Sequence, residues 1–176
     1  MIFWIAQIIG IIILIITVVS IQQKTKEGIL VFQIVANLLD GIQYFLLNAI
    51  TGGVIGLINV LRCIVFYYYK KKDKKPSVAM LLTFIIIAIV SGILSWQDNF
   101  SIIPIIVTIV FTYGLWQDNV KITRICTAIT AGGWSIYGLV FKGFARAFAS
   151  ICECTSAIIS IVRYDILKKE VSSNAK

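Results

Sequence analysis

The sequence has no histidine and only two prolines among its 176 residues. Histidine is the commonest general base and metal ligand, so its absence weighs against a metalloenzyme or an acid–base catalyst. Charged residues are also scarce, at 14% of the chain against about 25% in a typical soluble domain. The four cysteines all fall within apolar segments, and we expect them to be packing residues instead of disulfides or metal ligands.

Apolar residues make up the difference: 59% of the chain is hydrophobic and the mean hydropathy is +0.95. A soluble domain is usually about 45–50% apolar, so this excess indicates a membrane protein. The apolar residues come in blocks of about 20, the length that crosses about 30 Å of hydrocarbon. The N-terminal block lacks a basic start and a small-residue cleavage site, so we predict a retained helix instead of a signal peptide.

Seven transmembrane helices are predicted, at approximately 2–22, 29–50, 52–70, 77–96, 100–116, 122–141 and 145–166. The second and third meet at "NAITGG", where Gly52 and Gly53 permit a tight turn. Pro76 is expected in the first turn of the fourth helix, a position that proline favours. The predicted fold class is therefore an all-α integral membrane protein.

The basic residues are distributed unequally between the two sides of such a bundle. Of the 16, 13 fall on one side, among them the Lys70–Lys75 cluster and Arg163. The opposite side receives only Lys142 and Arg146. The positive-inside rule then predicts an external N-terminus and a cytoplasmic C-terminus. We interpret the net charge of +8 as this orientation signal, with contacts to anionic membrane lipids, and predict no nucleic-acid partner.

Two parts of the chain resemble each other at an offset of 93 residues: "GIQYFLLNAITGGVIG" from Gly41 and "WSIYGLVFKGFARAFA" from Trp134. In this alignment Tyr44 falls on Tyr137. We therefore predict two parallel three-helix repeats at 1–72 and 98–167, a linker helix at 73–97 and a cytoplasmic tail at 168–176. Transporters built from parallel repeats often bind their substrates near the membrane midplane, between the repeats.

Polar residues recur every three or four positions within the spans, so they share helical faces. The candidate site residues are Asn37, Asp40, Tyr44, Asn59, Arg62, Trp134, Tyr137 and Glu153. At 1.5 Å per residue, the three charged ones lie about 12–16 Å from the cytoplasmic ends of their helices. A lone charge at that depth costs about 3 kcal/mol or more, so we expect Arg62 to pair with Asp40, with Glu153 nearby.

The sequence leaves three interpretations of Arg62 open. Its side chain could extend toward the cytoplasmic interface, form a structural ion pair, or line a functional cavity. Trp134 and Tyr137 similarly suit either core packing or contact with a ligand.

The Gly41 segment continues as "GIQYFLLNAITGGVIGLINVLRCIVF", and the Trp134 segment lies within "SIIPIIVTIVFTYGLWQDNVKITRICTAITAGGWSIYGLVFKGFARAFASICECTSAIISIVRYD". Together they resemble the YgjV-type bacterial inner membrane proteins, which implies a multi-pass protein of the inner membrane. The three, one, three plan is similar to that of SWEET sugar transporters and their PQ-loop relatives. That resemblance implies an alternating-access carrier whose central pocket includes Asn59 and Trp134, with Cys152 and Gly41 at the two remaining positions. Pro104 stands where those carriers have a hinge proline.

The first functional hypothesis is a carrier or facilitator of a small polar or anionic metabolite. Arg62 would attract the solute, and Asp40 and Glu153 would balance its charge or carry a proton. Asn59 and Trp134 would complete the pocket together with the remaining site residues. The chain has no nucleotide-binding motif, so transport would be passive or ion-coupled, and we predict no cofactor and no metal site.

Two other hypotheses belong to different classes. A membrane scaffold or regulator would have a dry core in which Arg62 is fully hydrogen-bonded. An intramembrane enzyme would need catalytic groups that the sequence does not offer beyond Asp40 and Glu153, and we predict no catalytic residue.

Overall fold

The protein is a bundle of α-helices, as described by a computed structural model of residues 1–21, 26–117 and 120–162. Within these residues there are seven α-helices and no strand: α1 Ile2–Ile21, α2 Lys26–Leu46, α3 Ile50–Lys71, α4 Val78–Leu94, α5 Ile102–Trp116, α6 Val120–Val140 and α7 Phe144–Ile161. A short 3-10 turn over Asn99–Ser101 leads into α5. The all-α prediction is confirmed, and each predicted span corresponds to one helix. Arg163 and the predicted tail lie outside the described residues.

The turn between α2 and α3 is made by residues before the glycines that were predicted to form it. Asn48 adopts a left-handed conformation (φ 57°), which asparagine tolerates better than most residues. Gly52 and Gly53 lie inside α3 instead. A Cβ atom at Gly52 would come within 2.5 Å of the Tyr137 ring, so this glycine is needed for close helix packing.

Pro76 also differs from its predicted place. Helix α4 begins at Val78, after Ser77, whose hydroxyl accepts a hydrogen bond from the amide of Met80 (3.3 Å). Pro76 therefore precedes the helix cap, and its carbonyl accepts a hydrogen bond from Trp116 Nε1 (2.9 Å). This contact ties the start of α4 to the end of α5.

The outer surface of the bundle is apolar. Large side chains such as Leu61, Ile93 and Phe148 are about 60% exposed, and apolar side chains of this kind occur on every helix. Exposed patches of this extent suit contact with lipid. Among the described residues, Ile50–Lys71 and Asn99–Trp116 are long and apolar enough to cross a membrane, and Ile2–Thr17, Leu30–Leu46 and Val78–Leu94 are shorter apolar helices.

Helix packing follows the same scheme in the two parts of the bundle. Helix α1 packs on α2 and α7, and α5 correspondingly packs on α6 and α3. Helices α2 and α3 form one hairpin, and α6 and α7 form a second. Helix α4 packs on α3 and α5 at the side.

The two hairpins have the same register. The α2–α3 hairpin turns at Asn48 and resumes at Ile50, and the α6–α7 hairpin turns at Lys142 and resumes at Phe144, in each case 94 residues later. Lys142 repeats the left-handed conformation of Asn48, with φ 59°. In each turn the following amide donates to a carbonyl five residues earlier, at 2.9 Å in the first hairpin and 2.7 Å in the second. The offset between the hairpins is thus one residue longer than the 93 of the sequence alignment.

The turn end is the end of the bundle that holds the two hairpin turns. The lysine end is the opposite end, where α3 runs into the Lys70–Lys75 cluster.

Candidate functional site

A cavity of about 520 Å³ lies inside the bundle, with walls from α1, α2, α3, α5, α6 and α7. Its volume falls in the range of about 300–1,000 Å³ that small-molecule sites occupy. Six of the eight candidate site residues line it: Asn37, Asp40, Asn59, Arg62, Trp134 and Glu153. The three- and four-residue spacing of polar side chains therefore identified residues that the fold brings together.

Tyr44 and Tyr137, the other two candidates, are fully buried in an aromatic cluster beside the cavity. The Tyr44 ring stacks on Trp134 with centroids 5.5 Å apart, and it meets Tyr137 edge-on at 5.2 Å. The Tyr137 hydroxyl accepts a hydrogen bond from the amide of Gly52 (3.0 Å). These two tyrosines separate the cavity from the turn end.

Two glutamines reinforce the turn end, and each comes from the half of the chain opposite to the turn it binds. Gln7 of α1 donates to the carbonyl of Lys142 (2.8 Å) and accepts from the amide of Ala145 (3.2 Å). Gln97, just before α5, donates to the carbonyl of Asn48 (2.9 Å) and accepts from the amide of Ile50 (2.5 Å). We refer to these contacts as the glutamine clasps.

The cavity extends in the other direction, toward the lysine end. Its lining includes Ser20, in the last turn of α1, and Arg124, in the second turn of α6. Since a buried aromatic cluster and the glutamine clasps lie on the turn side, the cavity is one-sided.

Arg146 is a component of the site that the sequence interpretation missed, because its charge was counted with the external side of the bundle. It is the third residue of α7, and only 8% of it is exposed. Its Nε donates to Asp40 Oδ1 (2.6 Å), and its Nη1 donates to Ser150 Oγ (2.6 Å). The predicted pairing of Asp40 with Arg62 is therefore wrong, since Arg146 takes that place.

A sequence signal for Arg146 did exist. Arg146, Ser150 and Glu153 follow one another at steps of four and three, which places all three on one face of α7.

Arg62 is 1% exposed and lies against α5. Its Nη1 donates to Thr112 Oγ1 (2.7 Å) and to the carbonyl of Thr108 (3.4 Å), and the guanidinium lies 5.1 Å from the Phe111 ring centroid. Within the part of the chain that the structure describes, its Nε has no hydrogen-bond partner and no carboxylate lies within ion-pair distance. The side chain is thus buried against α5 and does not pair with Asp40.

Asn59 and Glu153 occupy equivalent positions, 94 residues apart, on the walls formed by α3 and α7. Asn59 is 4% exposed and its Oδ1 accepts no hydrogen bond from any described residue. Glu153 is half-buried, interacts electrostatically with Arg146, and makes no hydrogen bond to the described chain.

Asp40 and Trp134 are likewise 94 residues apart, and both line the cavity. The sequence alignment had placed Cys152 and Gly41 at the positions related to Asn59 and Trp134. The register of the hairpins assigns Glu153 and Asp40 to those positions instead.

The remaining candidates lie away from the cavity or on its margin. Pro104 is the third residue of α5, where the lack of an amide hydrogen costs no helical hydrogen bond, and its hinge role stays a prediction. All four cysteines are free thiols; Cys63 and Cys126 are buried, as packing residues are, whereas Cys152 is exposed. Asn37 donates to the carbonyl of Gln33 (2.7 Å) and to Cys63 Sγ (3.5 Å), at the edge of the cavity. Across the described residues no group of three acidic, histidine or cysteine side chains could hold a metal ion.

One family model matches the chain, over residues 4–168: Imp-YgjV, a bacterial inner membrane protein. No curated protein and no solved structure matches significantly. The family match covers nearly the whole chain, including every residue of the cavity.

Proposed function

The chain belongs to the Imp-YgjV family of bacterial inner membrane proteins. We propose that it is a multi-pass carrier for a small polar or anionic metabolite. The observation that carries this proposal is the one-sided cavity, with the incompletely hydrogen-bonded guanidinium of Arg62 in its wall. A buried polar group without a partner costs free energy, and a ligand that supplies the partner recovers it.

The charges on the cavity wall support an anionic group on the solute. Three arginines and two carboxylates of the described chain line the cavity. Asp40 is already paired with Arg146, whereas the guanidinium of Arg62 has an N–H donor without a partner. A carboxylate or phosphate beside it would form a charge-assisted hydrogen bond, which is about twice as strong as a neutral one.

Two features support a mechanism in which the two parts of the bundle tilt against each other. The hairpins have the same register, and the contacts of α1 with α2 and α7 correspond to those of α5 with α6 and α3. We infer two parallel three-helix repeats, with α4 as the linker. In carriers built this way the repeats rock around a central site. The observed cavity then represents the state open toward the lysine end.

The lysine end is the cytoplasmic end in this proposal. Basic residues cluster there, and the burial of Arg146 leaves Lys142 as the one basic residue of the α6–α7 turn. The difference in basic residues between the two ends is therefore larger than the sequence count indicated, and it favours a cytoplasmic lysine end by the positive-inside rule. Seven helices cross the membrane, with the N-terminus outside.

The rival hypothesis of a scaffold or regulator requires a dry core with Arg62 fully bonded. A cavity of about 520 Å³ and an unpartnered Nε in the described bundle are the opposite of that expectation. We therefore retain the carrier as the single proposal.

Uptake into proteoliposomes tests the proposal. We expect at least one small carboxylate, phosphate ester or amino acid in a broad panel to enter faster than into protein-free vesicles. Arg62→Gln should slow that uptake by about tenfold or more, equivalent to about 1.4 kcal/mol. Lys71→Gln is the matched control, because it removes an exposed charge outside the cavity and should leave uptake unchanged. Correctly inserted protein that accelerates no solute would contradict the carrier function.

A further inference from the structure

The hydrogen-bonding pattern of the cavity carries a more specific conclusion about the solute, which rests on the proposed carrier function. We propose that the cavity binds a small zwitterion of the amino-acid type. Arg62 holds its carboxylate, Glu153 holds its ammonium group, and Asn59 contacts both.

The anion-binding part of the site lies on α3. Arg62 and Asn59 are three residues apart, so they lie on one face of the helix, and both line the cavity. Arg62 Nε is a donor without a partner, buried within the wall, and the amide nitrogen of Asn59, three residues earlier on α3, supplies further donors. A carboxylate at this place accepts hydrogen bonds from both side chains.

The same wall also contains an acceptor without a hydrogen bond, and an anion with no N–H or O–H group cannot donate to it. Asn59 Oδ1 is buried and accepts no hydrogen bond from the described residues. A carboxylate has no hydrogen to donate, so an anionic ligand would leave this oxygen unpaired, at a cost of about 1–3 kcal/mol. Asn59 Oδ1 and Arg62 Nε are both buried within the wall. Once the two side chains turn toward the cavity, a ligand with an N–H group next to its carboxylate satisfies Oδ1 and the Arg62 donor together.

Glu153 supplies the charge that the ammonium group requires. It lines the cavity on α7, at the position equivalent to Asn59, and forms no ion pair with a described residue. Among the described residues, the guanidinium that interacts with it electrostatically, that of Arg146, is bonded to Asp40. A plain anion would meet the repulsion of both carboxylates, whereas an ammonium group is attracted to them.

Trp134 provides an aromatic surface in the same cavity. One face of its ring stacks on Tyr44, and the residue lines the cavity at the position equivalent to Asp40. An ammonium group near an indole gains about 0.5–2 kcal/mol from the cation–π interaction. The indole of Trp134 and the carboxylate of Glu153 both attract a cation. They therefore favour a solute whose cationic group faces away from Arg62.

Matched ligands test this inference on the full-length protein in detergent. The probes are the proteinogenic L-amino acids, the corresponding acids that lack the amino group, the corresponding amines that lack the carboxylate, and glucose. Affinity is measured by isothermal titration and by thermal stabilisation, which grows with ligand concentration relative to Kd. We expect at least one amino acid to bind at least about tenfold more tightly than its acid, its amine and glucose.

Two variants assign the charges. Glu153→Gln should lower the affinity for that amino acid to the level of its acid, and Arg62→Gln should lower it to the level of its amine. Asp73→Asn is the control, because it makes the same carboxylate-to-amide change at an exposed loop residue. If a cavity variant fails to fold, the comparison of amino acid, acid and amine on the native protein still decides.

The outcomes separate this inference from the carrier proposal. An acid that binds as tightly as its amino acid would overturn the zwitterion and leave an anion carrier. Preference for glucose would overturn it in favour of a neutral polyol. If none of the probes binds, the zwitterion is also excluded, and the wider uptake panel decides separately whether the protein is a carrier.

Discussion

Asp40 of α2 and Arg146 of α7 form an ion pair in which Arg146 Nε lies 2.6 Å from Asp40 Oδ1. About a tenth of each side chain is exposed, so the pair is nearly dry. It joins the first hairpin to the second directly beside the cavity. By engaging Asp40, Arg146 leaves Arg62 with its unsatisfied donor.

A double-mutant cycle should detect this pairing. Asp40→Asn or Arg146→Gln alone should lower the free energy of unfolding by about 3–5 kcal/mol, because each leaves one buried charge without its partner. The double variant should lose much less than the sum. Unfolding can be followed in mixed micelles by titration with a denaturing detergent.

The combination of Asp40→Asn with Arg62→Gln is the matched comparison. Groups without a shared contact usually add within about 0.5 kcal/mol. A coupling energy between Asp40 and Arg62 as large as that between Asp40 and Arg146 would refute the assignment of the ion pair.

The glutamine clasps should control access from the turn end. Gln7→Ala or Gln97→Ala should each cost about 1 kcal/mol of stability, because two hydrogen bonds are lost at a partly exposed site. The double variant should also admit reagents to Ala49, which is fully buried beside the first turn. We expect a cysteine substituted for Ala49, in a background without other cysteines, to react faster with a water-soluble maleimide.

Asn99→Ala serves as the control for the clasps, since Asn99 is an exposed polar residue of the 3-10 turn near Gln97. It should change neither stability nor labelling. Unchanged labelling in the double glutamine variant would show that the clasps do not close the turn end.

Two glycines should respond oppositely to the same substitution. Gly52→Ala should destabilise the protein by about 1–3 kcal/mol, because its methyl group would overlap the Tyr137 ring. Gly132→Ala meets no atom within 4 Å and should be neutral or stabilising by up to about 1 kcal/mol, since alanine favours helix. Equal effects of the two substitutions in the micelle unfolding assay would mean that Gly52 does not pack closely against Tyr137.

The predicted orientation can be tested with reporter fusions in bacterial cells. A C-terminal green fluorescent protein should fluoresce, because it folds in the cytoplasm, and a C-terminal alkaline phosphatase should be inactive. Replacing the five lysines between Lys70 and Lys75 by glutamine should produce a mixed orientation. An active phosphatase on the native sequence would reverse the orientation and place the cavity opening outside.

The helices and part of the cavity lining could be predicted because both depend on local patterns. Apolar blocks of about 20 residues predict helices that suit a membrane, and polar steps of three and four identify faces such as that of Asn59 and Arg62. Arg146 could not be found by counting depth, since depth is counted along the backbone. Its long side chain carries the guanidinium inward from a backbone position near the helix start.

The offset of the internal alignment, 93, differs by one residue from the 94 that separates the two hairpin turns. Adjacent helical positions differ by about 100° around the axis. An offset of 93 therefore selects exposed Cys152 as the equivalent of Asn59, whereas an offset of 94 selects Glu153 on the cavity wall. Apolar helices resemble one another at many offsets. The offset of 94 is seen in the hydrogen bonds of the two turns, which the sequence does not reveal.

The hydrogen bonds of the glutamine clasps allow an estimate of the population of an unloaded carrier that is open at its turn end. Parting their four hydrogen bonds, at about 0.5–1.5 kcal/mol each, costs roughly 2–6 kcal/mol. A conformer that lies a few kcal/mol higher makes up only about 0.1–10% of the molecules, and such domain motions exchange in microseconds to milliseconds. A solute can shift that population only through the difference between its affinities for the two conformers. A solute that binds the two conformers equally would leave the loaded carrier opening as seldom as the empty one. A fast carrier of this design therefore needs a solute that binds the conformer open at the turn end more tightly.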